Sequence, residues 1–333
     1  MAIQAYMRTI FPDQRGPLPS DPAPADATGL YIDLHSYSEL VLWPWGYTYS
    51  AAPNGTALQT LGRKFAWFNG YEPDQSVGLY PTDGSTDDFA YGDLGIAAYT
   101  FELGTAFFQS CSVFEQTILP DNLPALRYAA KVARTPYLTP AGPDVVAPGV
   151  TPAVIAPGET VVLTATLDDT RFSTVNGVEP TQVIAAGSYY LDTPPWRPGA
   201  VARPLAAVDG LFDQKVEAVS ANVDTTGLAP GRHTLYLQGT DAAGSAGAVS
   251  AVFLWVIDPM TAPVVTGHVR DAVSHAGLAA TVVAGPFSTA TDPVTGAYEL
   301  QVPEGTWDLR ASAPEHVPAT VTGVVLGSSQ VHV

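Results

Sequence analysis

Past residue 140 the apolar residues change spacing, and no other feature limits the fold as much. Over 154–258 they alternate: Val161, Leu163, Ala165 and Leu167 in one run, Val249, Ala251, Phe253 and Trp255 in another. A period of two is the pattern of a strand with one buried face. The run from Leu228 to Leu237 places Pro230 and Gly231 before an apolar stretch, a turn feeding a strand. Residues 263–333 continue in the same way, with strands expected over 264–270, 280–283, 298–302, 306–312 and 321–325. Asp292-Pro-Val-Thr-Gly296 is a turn between two of them, and nothing here has helical spacing. Thirty Gly and thirty Pro suit a chain of many turns and short strands. The expectation is two all-β sandwich modules, 154–258 and 263–333.

Residues 1–140 read differently. A loop with Pro17, Pro19, Pro22 and Pro24 leads into a short apolar run over 29–35 that ends in His35. Residues 38–45 read as a second strand or an irregular loop. Leu58, Leu61, Phe65 and Phe68 give a helix over 57–69, a strand follows over 96–103 carrying Glu102, and a helix over 123–134 is closed by Pro136. Strands alternating with helices imply an α/β layer architecture. At the N-terminus Ile3, Met7 and Ile10 share one helical face, without the basic region and apolar core of a signal peptide. A chain that opens in a helix without a cap is expected to start inside a domain. Residues 141–153, with Gly142, Pro143, Pro148, Gly149 and Pro152, read as a linker.

The 46% hydrophobic content is enough for a sizeable core. Fourteen basic residues against 32 acidic ones give a formal charge of −18, and no basic run is present, which argues against nucleic acid as a partner. No apolar stretch is long enough to span a bilayer, so no membrane span is expected. The single cysteine, Cys111, has no internal partner. It reads either as a buried free thiol or as one whose partner lies outside the chain.

Three stretches within 1–140 carry reactive side chains. They are Asp33-Leu-His35-Ser-Tyr37-Ser-Glu39 with Leu42-Trp-Pro-Trp-Gly46 after it, Tyr80-Pro-Thr-Asp83-Gly-Ser85-Thr-Asp87-Asp88-Phe-Ala-Tyr91, and Tyr99-Thr-Phe-Glu102-Leu103. His35 ends an apolar strand, the favoured ligand position of α/β sheets, though a satisfied core histidine fits equally. Glu102 at the end of an apolar strand must be paired, raised in pKa or turned to a cleft. Alone, Tyr80 is an ordinary loop aromatic.

Taken in order, these blocks resemble the zinc carboxypeptidases of the carboxypeptidase A/T type, with wording most similar to bacterial secreted members. The resemblance covers most of the stretch before residue 140. It implies that residues 1–140 are the C-terminal half of the catalytic domain. It implies that His35 is a zinc ligand, Glu102 the general base, Tyr80 the mobile tyrosine that closes over the substrate, and Tyr37 a tyrosine of the substrate cleft. Asp87 and Asp88 fall where the specificity pocket lies, either selecting a basic C-terminal residue or merely ordering the loop. Peptide C-termini would be the substrates and Zn2+ the cofactor, in an extracellular protein.

One part of the pattern is absent. The family's first zinc motif, His-x-x-Glu, does not occur: His233, His268, His275, His316 and His332 all lie beyond residue 140, and none has Glu three positions on. The arginine and asparagine–arginine residues that grip the substrate belong to the same absent half. The resemblance therefore implies a truncated catalytic domain with an incomplete zinc site, an unpaired sheet edge and an exposed apolar face. The modules at 154–258 and 263–333 resemble an immunoglobulin-like sandwich and a carboxypeptidase regulatory-like (transthyretin-like) module. The latter rests on Val265-Thr-Gly-His-Val-Arg-Asp271, Thr295-Gly-Ala-Tyr-Glu-Leu300 and Pro303-Glu-Gly-Thr-Trp-Asp-Leu309. Two functions stay open: a metallocarboxypeptidase, or a catalytically inactive protein that binds peptides or surfaces through its β modules.

Overall fold

A computed structural model describes residues 2–327 and 331–332. Residues 328–330 and 333, part of the third expected unit, lie outside the described residues. The first unit runs α1 (Ala2–Ile10), β1 (Leu30–His35), β2 (Leu40–Trp43), α2 (Gly55–Asn69), β3 (Glu72–Gln75), α3 (Thr86–Leu94), β4 (Ala97–Glu102), a turn α4 (Cys111–Val113) and α5 (Leu119–Val132). Its four strands form one mixed sheet in the order β1-β4-β2-β3. The β1–β4 and β2–β3 pairs are parallel and β2–β4 is antiparallel.

Helix α2 shows why this sheet packs as it does. Leu58, Leu61 and Phe65, spaced three and four apart, are fully buried. The Phe65 ring lies 5.1 Å from Tyr99 and 5.3 Å from Phe101, both on β4, and 6.3 Å from Tyr128 on α5. Edge-to-face contacts of this kind add to the burial of the rings themselves. A Cβ at Gly62 would come within 2.6 Å of the Trp43 ring, so glycine lets α2 approach β2 closely. Because side chains alternate along a strand, Thr100 and Glu102 face away from α2. Helix α3 serves that other face: its Thr86 hydroxyl donates to Asp33 of β1.

Among the described residues after 140 there are strands, turns and loops but no helix, apart from a short 3-10 turn at Thr139–Ala141. Strands β5 (Asp144–Thr151), β6 (Val154–Ile155), β7 (Val161–Asp168), β8 (Ile184–Leu191), β9 (Arg203–Ala207), β10 (Val216–Val223), β11 (Gly231–Asp241) and β12 (Ser250–Val256) follow. They form one ladder in the order β5-β7-β10-β9-β8-β11-β12-β6, not two separate sheets. Leu163 and Leu167 of β7 share a core with Leu235 and Leu237 of β11, so the ladder curls back on itself.

The final unit holds β13 (Val264–His268), β14 (Thr281–Ala284), β15 (Phe287–Ala290), β16 (Ala297–Gln301), β17 (Gly305–Ser312), β18 (Ala319–Leu326) and β19 (Val331–His332). Here there are two sheets, β16-β13-β19 and β15-β14-β17-β18, around one core that includes Val265, Leu300, Val282 and Leu309. No helix among the described residues is long and apolar enough to cross a membrane.

Three expectations need revising. Residues 141–153, read as a linker, contain the edge strand β5. It tolerates Pro148 because the register breaks between Val146 and Gly149, the kind of edge irregularity where proline is accepted. Cys111, for which one reading was a buried free thiol, is exposed on the turn α4 and forms no disulfide within the chain. The stretch around Asp87 and Asp88, read as a loop, is the first turn of α3.

The first two units are joined by buried charge. Arg63 and Lys64 lie on the side of α2 turned away from the sheet, where an amphipathic helix ordinarily meets water. Instead Arg63 pairs with Glu179 at 2.8 Å and Lys64 with Asp144 at 3.3 Å, with both lysine and aspartate almost wholly buried. Phe172 adds a ring face 4.1 Å from the Lys64 ammonium, and the Arg171 guanidinium lies 4.0 Å over Trp67. A buried ammonium needs such partners.

Candidate active site

The parallel β1–β4 register sets His35 beside Glu102 at the C-terminal ends of both strands. The His35 Nδ1 lies 3.9 Å from Glu102 Oε1, too long for a hydrogen bond and short enough for strong electrostatic coupling. The imidazole is open, 53% exposed, while the carboxylate is only 12% exposed. Burial therefore pushes the Glu102 carboxyl above the usual carboxylate range; His35 opposes that shift and the nearby Asp33 adds to it.

Two further residues support the pair. Asp33, two positions before His35 and so on the same face of β1, sits 3.2 Å from Nε2. That contact places a carboxylate against the ring edge opposite Glu102 and so helps to hold the ring's orientation. Thr86, at the start of α3, donates to the same Asp33 oxygen. The α3 terminus is fixed in turn by Ser85, whose hydroxyl accepts from the Asp88 backbone N–H. The sequence reading assigned no role to Asp33 or Thr86. The two-residue spacing to His35 and the cap pattern Ser85-x-x-Asp88 were the available signals.

Tyr37 and Tyr80 are both largely exposed. Tyr37 packs edge-on against Phe107, ring centres 4.8 Å apart. Phe107 and Phe108 line an open cavity of about 770 Å³ that also touches Leu34 and His35. Among the described residues no hydrogen bond or ion pair joins Tyr80 to His35 or Glu102. Asp87 and Asp88 are buried and engaged elsewhere: Asp87 accepts from Ser76 Oγ at 2.9 Å, and Asp88 takes the Gly46 N–H at 2.9 and 3.1 Å. Burial pushes the Asp88 carboxyl up to about 6, against the opposing Gly46 bond. These contacts tie the Trp45–Gly46 segment to α3.

Residues 22–122 match the family model described as zinc carboxypeptidase. Over this segment the chain is similar to the zinc carboxypeptidases. A zinc carboxypeptidase of Saccharothrix mutabilis subsp. capreolus is 47% identical over 79 residues, which make up 22% of this chain and 18% of that protein. Carboxypeptidase B of Bos taurus is 40% identical over 82 residues, and carboxypeptidase A4 of Mus musculus 42% over 83, each covering 22% of this chain and 19% of the relative. The chain thus spans about a fifth of the length of these carboxypeptidases.

A catalytic zinc takes three protein ligands and keeps one position open. The carboxypeptidase segment offers one imidazole, since His35 is the only histidine before residue 140. Among the described residues no group of three or more His, Cys, Asp or Glu could hold a metal ion. The residues present do not fit the zinc of the family by themselves.

Proposed function

We propose that this chain carries the proton-transfer side of a zinc-dependent metallocarboxypeptidase site, acting on the C-terminal peptide bond of peptides or proteins outside the cell. The observation that supports this reading is the His35–Glu102 pair on neighbouring parallel strand ends. A carboxylate with a raised pKa holds a proton more readily than an ordinary one, which suits a group that takes a proton from attacking water and returns it to a leaving amine. Glu102 is assigned that role and His35 that of one metal ligand, steered by Asp33. Tyr37 and Tyr80 are assigned to the substrate side, where both are exposed. Asp87 and Asp88 are assigned to holding that wall rather than to contacting substrate. The remaining metal ligands are assigned to residues outside this sequence. The strands after residue 140 are read as two all-β modules attached to the site-bearing unit.

The test is a zinc titration of the chain followed through the ring signals of its six histidines by NMR, with release of C-terminal residues from hippuryl-arginine and hippuryl-phenylalanine measured in parallel. Expected is a weak, millimolar response centred on His35, weakened further in Asp33→Ala, with no amino acid released. Tight stoichiometric zinc with turnover abolished by Glu102→Gln would overturn the division of the site. A titration that leaves His35 unmoved would overturn its role as a ligand.

A further inference from the structure

A second concavity, of about 950 Å³, lies between the end of α5 and the β11–β12 face of the second unit. Its walls carry Lys131 and Arg134 from the helix end, Trp196 from the loop after β8, and Tyr236 and Gln238 from β11. Acidic residues outnumber basic ones 32 to 14 in this chain, yet two of the 14 line this one cavity and none of its lining residues is Asp or Glu. Neither cation has an ion-pair partner among the described residues. Lys131 donates to Ser250 Oγ at 2.7 Å, and the Arg134 guanidinium stands 4.8 Å over the Trp196 ring. Trp196 and Tyr236 form an aromatic corner, centroids 6.2 Å apart at 69°, and the indole remains 43% exposed. Two unpaired cations beside an open indole favour an anion with a ring-shaped apolar face.

We propose that this cavity binds an acidic saccharide, a pyranose unit bearing a carboxylate. The guanidinium fork of Arg134, supported by the Lys131 ammonium, receives the carboxylate. The C–H face of the sugar ring packs in the Trp196–Tyr236 corner, and ring hydroxyls meet Gln238 and the hydroxyl of Thr135. A peptide would also offer a carboxylate, but β11, which carries Tyr236 and Gln238, is paired on both sides, by β8 and β12, and gives a peptide backbone no ladder edge at that wall; a peptide carboxylate is the competing outcome that hippurate tests. Recognition here runs through side chains. The site is independent of the His35–Glu102 pair and of its proposed role.

Isothermal titration of the full chain with trigalacturonate tests this, with maltotriose as the neutral control and hippurate as the peptide-like carboxylate. Expected is salt-sensitive binding of trigalacturonate, weakened about tenfold or more in each of Trp196→Ala and Arg134→Gln. Maltotriose should be at least as weak as the variants, and circular dichroism should show both variants folded. Three outcomes would overturn the proposal: no binding of trigalacturonate up to about 10 mM, binding that both folded variants retain, or hippurate bound in preference to trigalacturonate.

Discussion

Replacing Asp144 by alanine removes the main partner of a lysine that has no access to water. The Lys64 side chain is 0% exposed, that of Asp144 is 4% exposed, and their charges are 3.3 Å apart. At an effective dielectric of about 20 this attraction is about 5 kcal/mol. The alternatives left to the ammonium are poor. Phe172 offers a ring face 4.1 Å away, worth about 2 kcal/mol when desolvated. Asp169 ionises reluctantly, its carboxyl pushed up to about 6 by burial. Asp144→Ala is therefore expected to cost about 3–5 kcal/mol, the usual result of stranding one member of a buried pair. Lys64→Met is milder, about 1 kcal/mol, because Asp144 keeps Arg171 at 3.5 Å. The double variant should cost about 2 kcal/mol less than the sum of the two. Urea unfolding of the full chain, followed by tryptophan fluorescence, supplies all three values. A loss below about 1 kcal/mol for Asp144→Ala, or strict additivity in the cycle, would refute the account of a buried, mutually dependent pair.

Two further outcomes follow from the packing and the titrating groups. Asp88 has a folded pKa of about 6 against an ordinary value of 3.8, so the folded state binds its proton more tightly than the unfolded one. Its contribution is most favourable below about pH 4 and is lost as pH rises to about 6, at no more than about 1.4 kcal/mol per pH unit. The stability difference between wild type and Asp88→Asn, taken from urea midpoints at pH 4 to 8, should shift toward the asparagine variant across that window; the opposite trend would contradict the burial argument. Gly62→Ala places a Cβ 2.6 Å from the Trp43 ring and should cost about 1–3 kcal/mol by forcing α2 off the sheet; a change within about 0.5 kcal/mol would mean the two elements are not in tight contact.

How much of this was legible in the sequence depends on the range of the interaction involved. The core of α2 followed from the spacing of Leu58, Leu61 and Phe65, because local periodicity decides which face is apolar. The start of α3, around Asp87 and Asp88, was read as a loop from the family resemblance alone. Acids at a helix N-terminus are favourable, so the same residues carried a helix signal. The burial of Arg63 and Lys64 was invisible, since their acidic partners Glu179 and Asp144 come from the next unit, far along the chain. His35 and Glu102 were identified by motif resemblance, but their adjacency depends on parallel pairing of two strands with two helices between them, which no local pattern encodes. Asp33 was missed for the opposite reason: its evidence was local, a single alternation away from His35. Arg134 and Trp196 drew no reading from the sequence, because only the docking of the second unit against α5 brings them together.

The alternation of strand side chains makes the His35–Glu102 pair an all-or-none feature of the backbone ladder. Were β1 to slip by a single residue against β4, Leu34 would stand opposite Glu102, and Asp33 and His35 would swing together to the Phe65 side of the sheet. No intermediate arrangement leaves the two groups slightly misplaced. The aromatic anchors on the α2 face, Tyr99 and Phe101, thus act as a parity lock. By committing their own strand to one orientation they determine, from the opposite side of the sheet, where the imidazole and the carboxylate can meet.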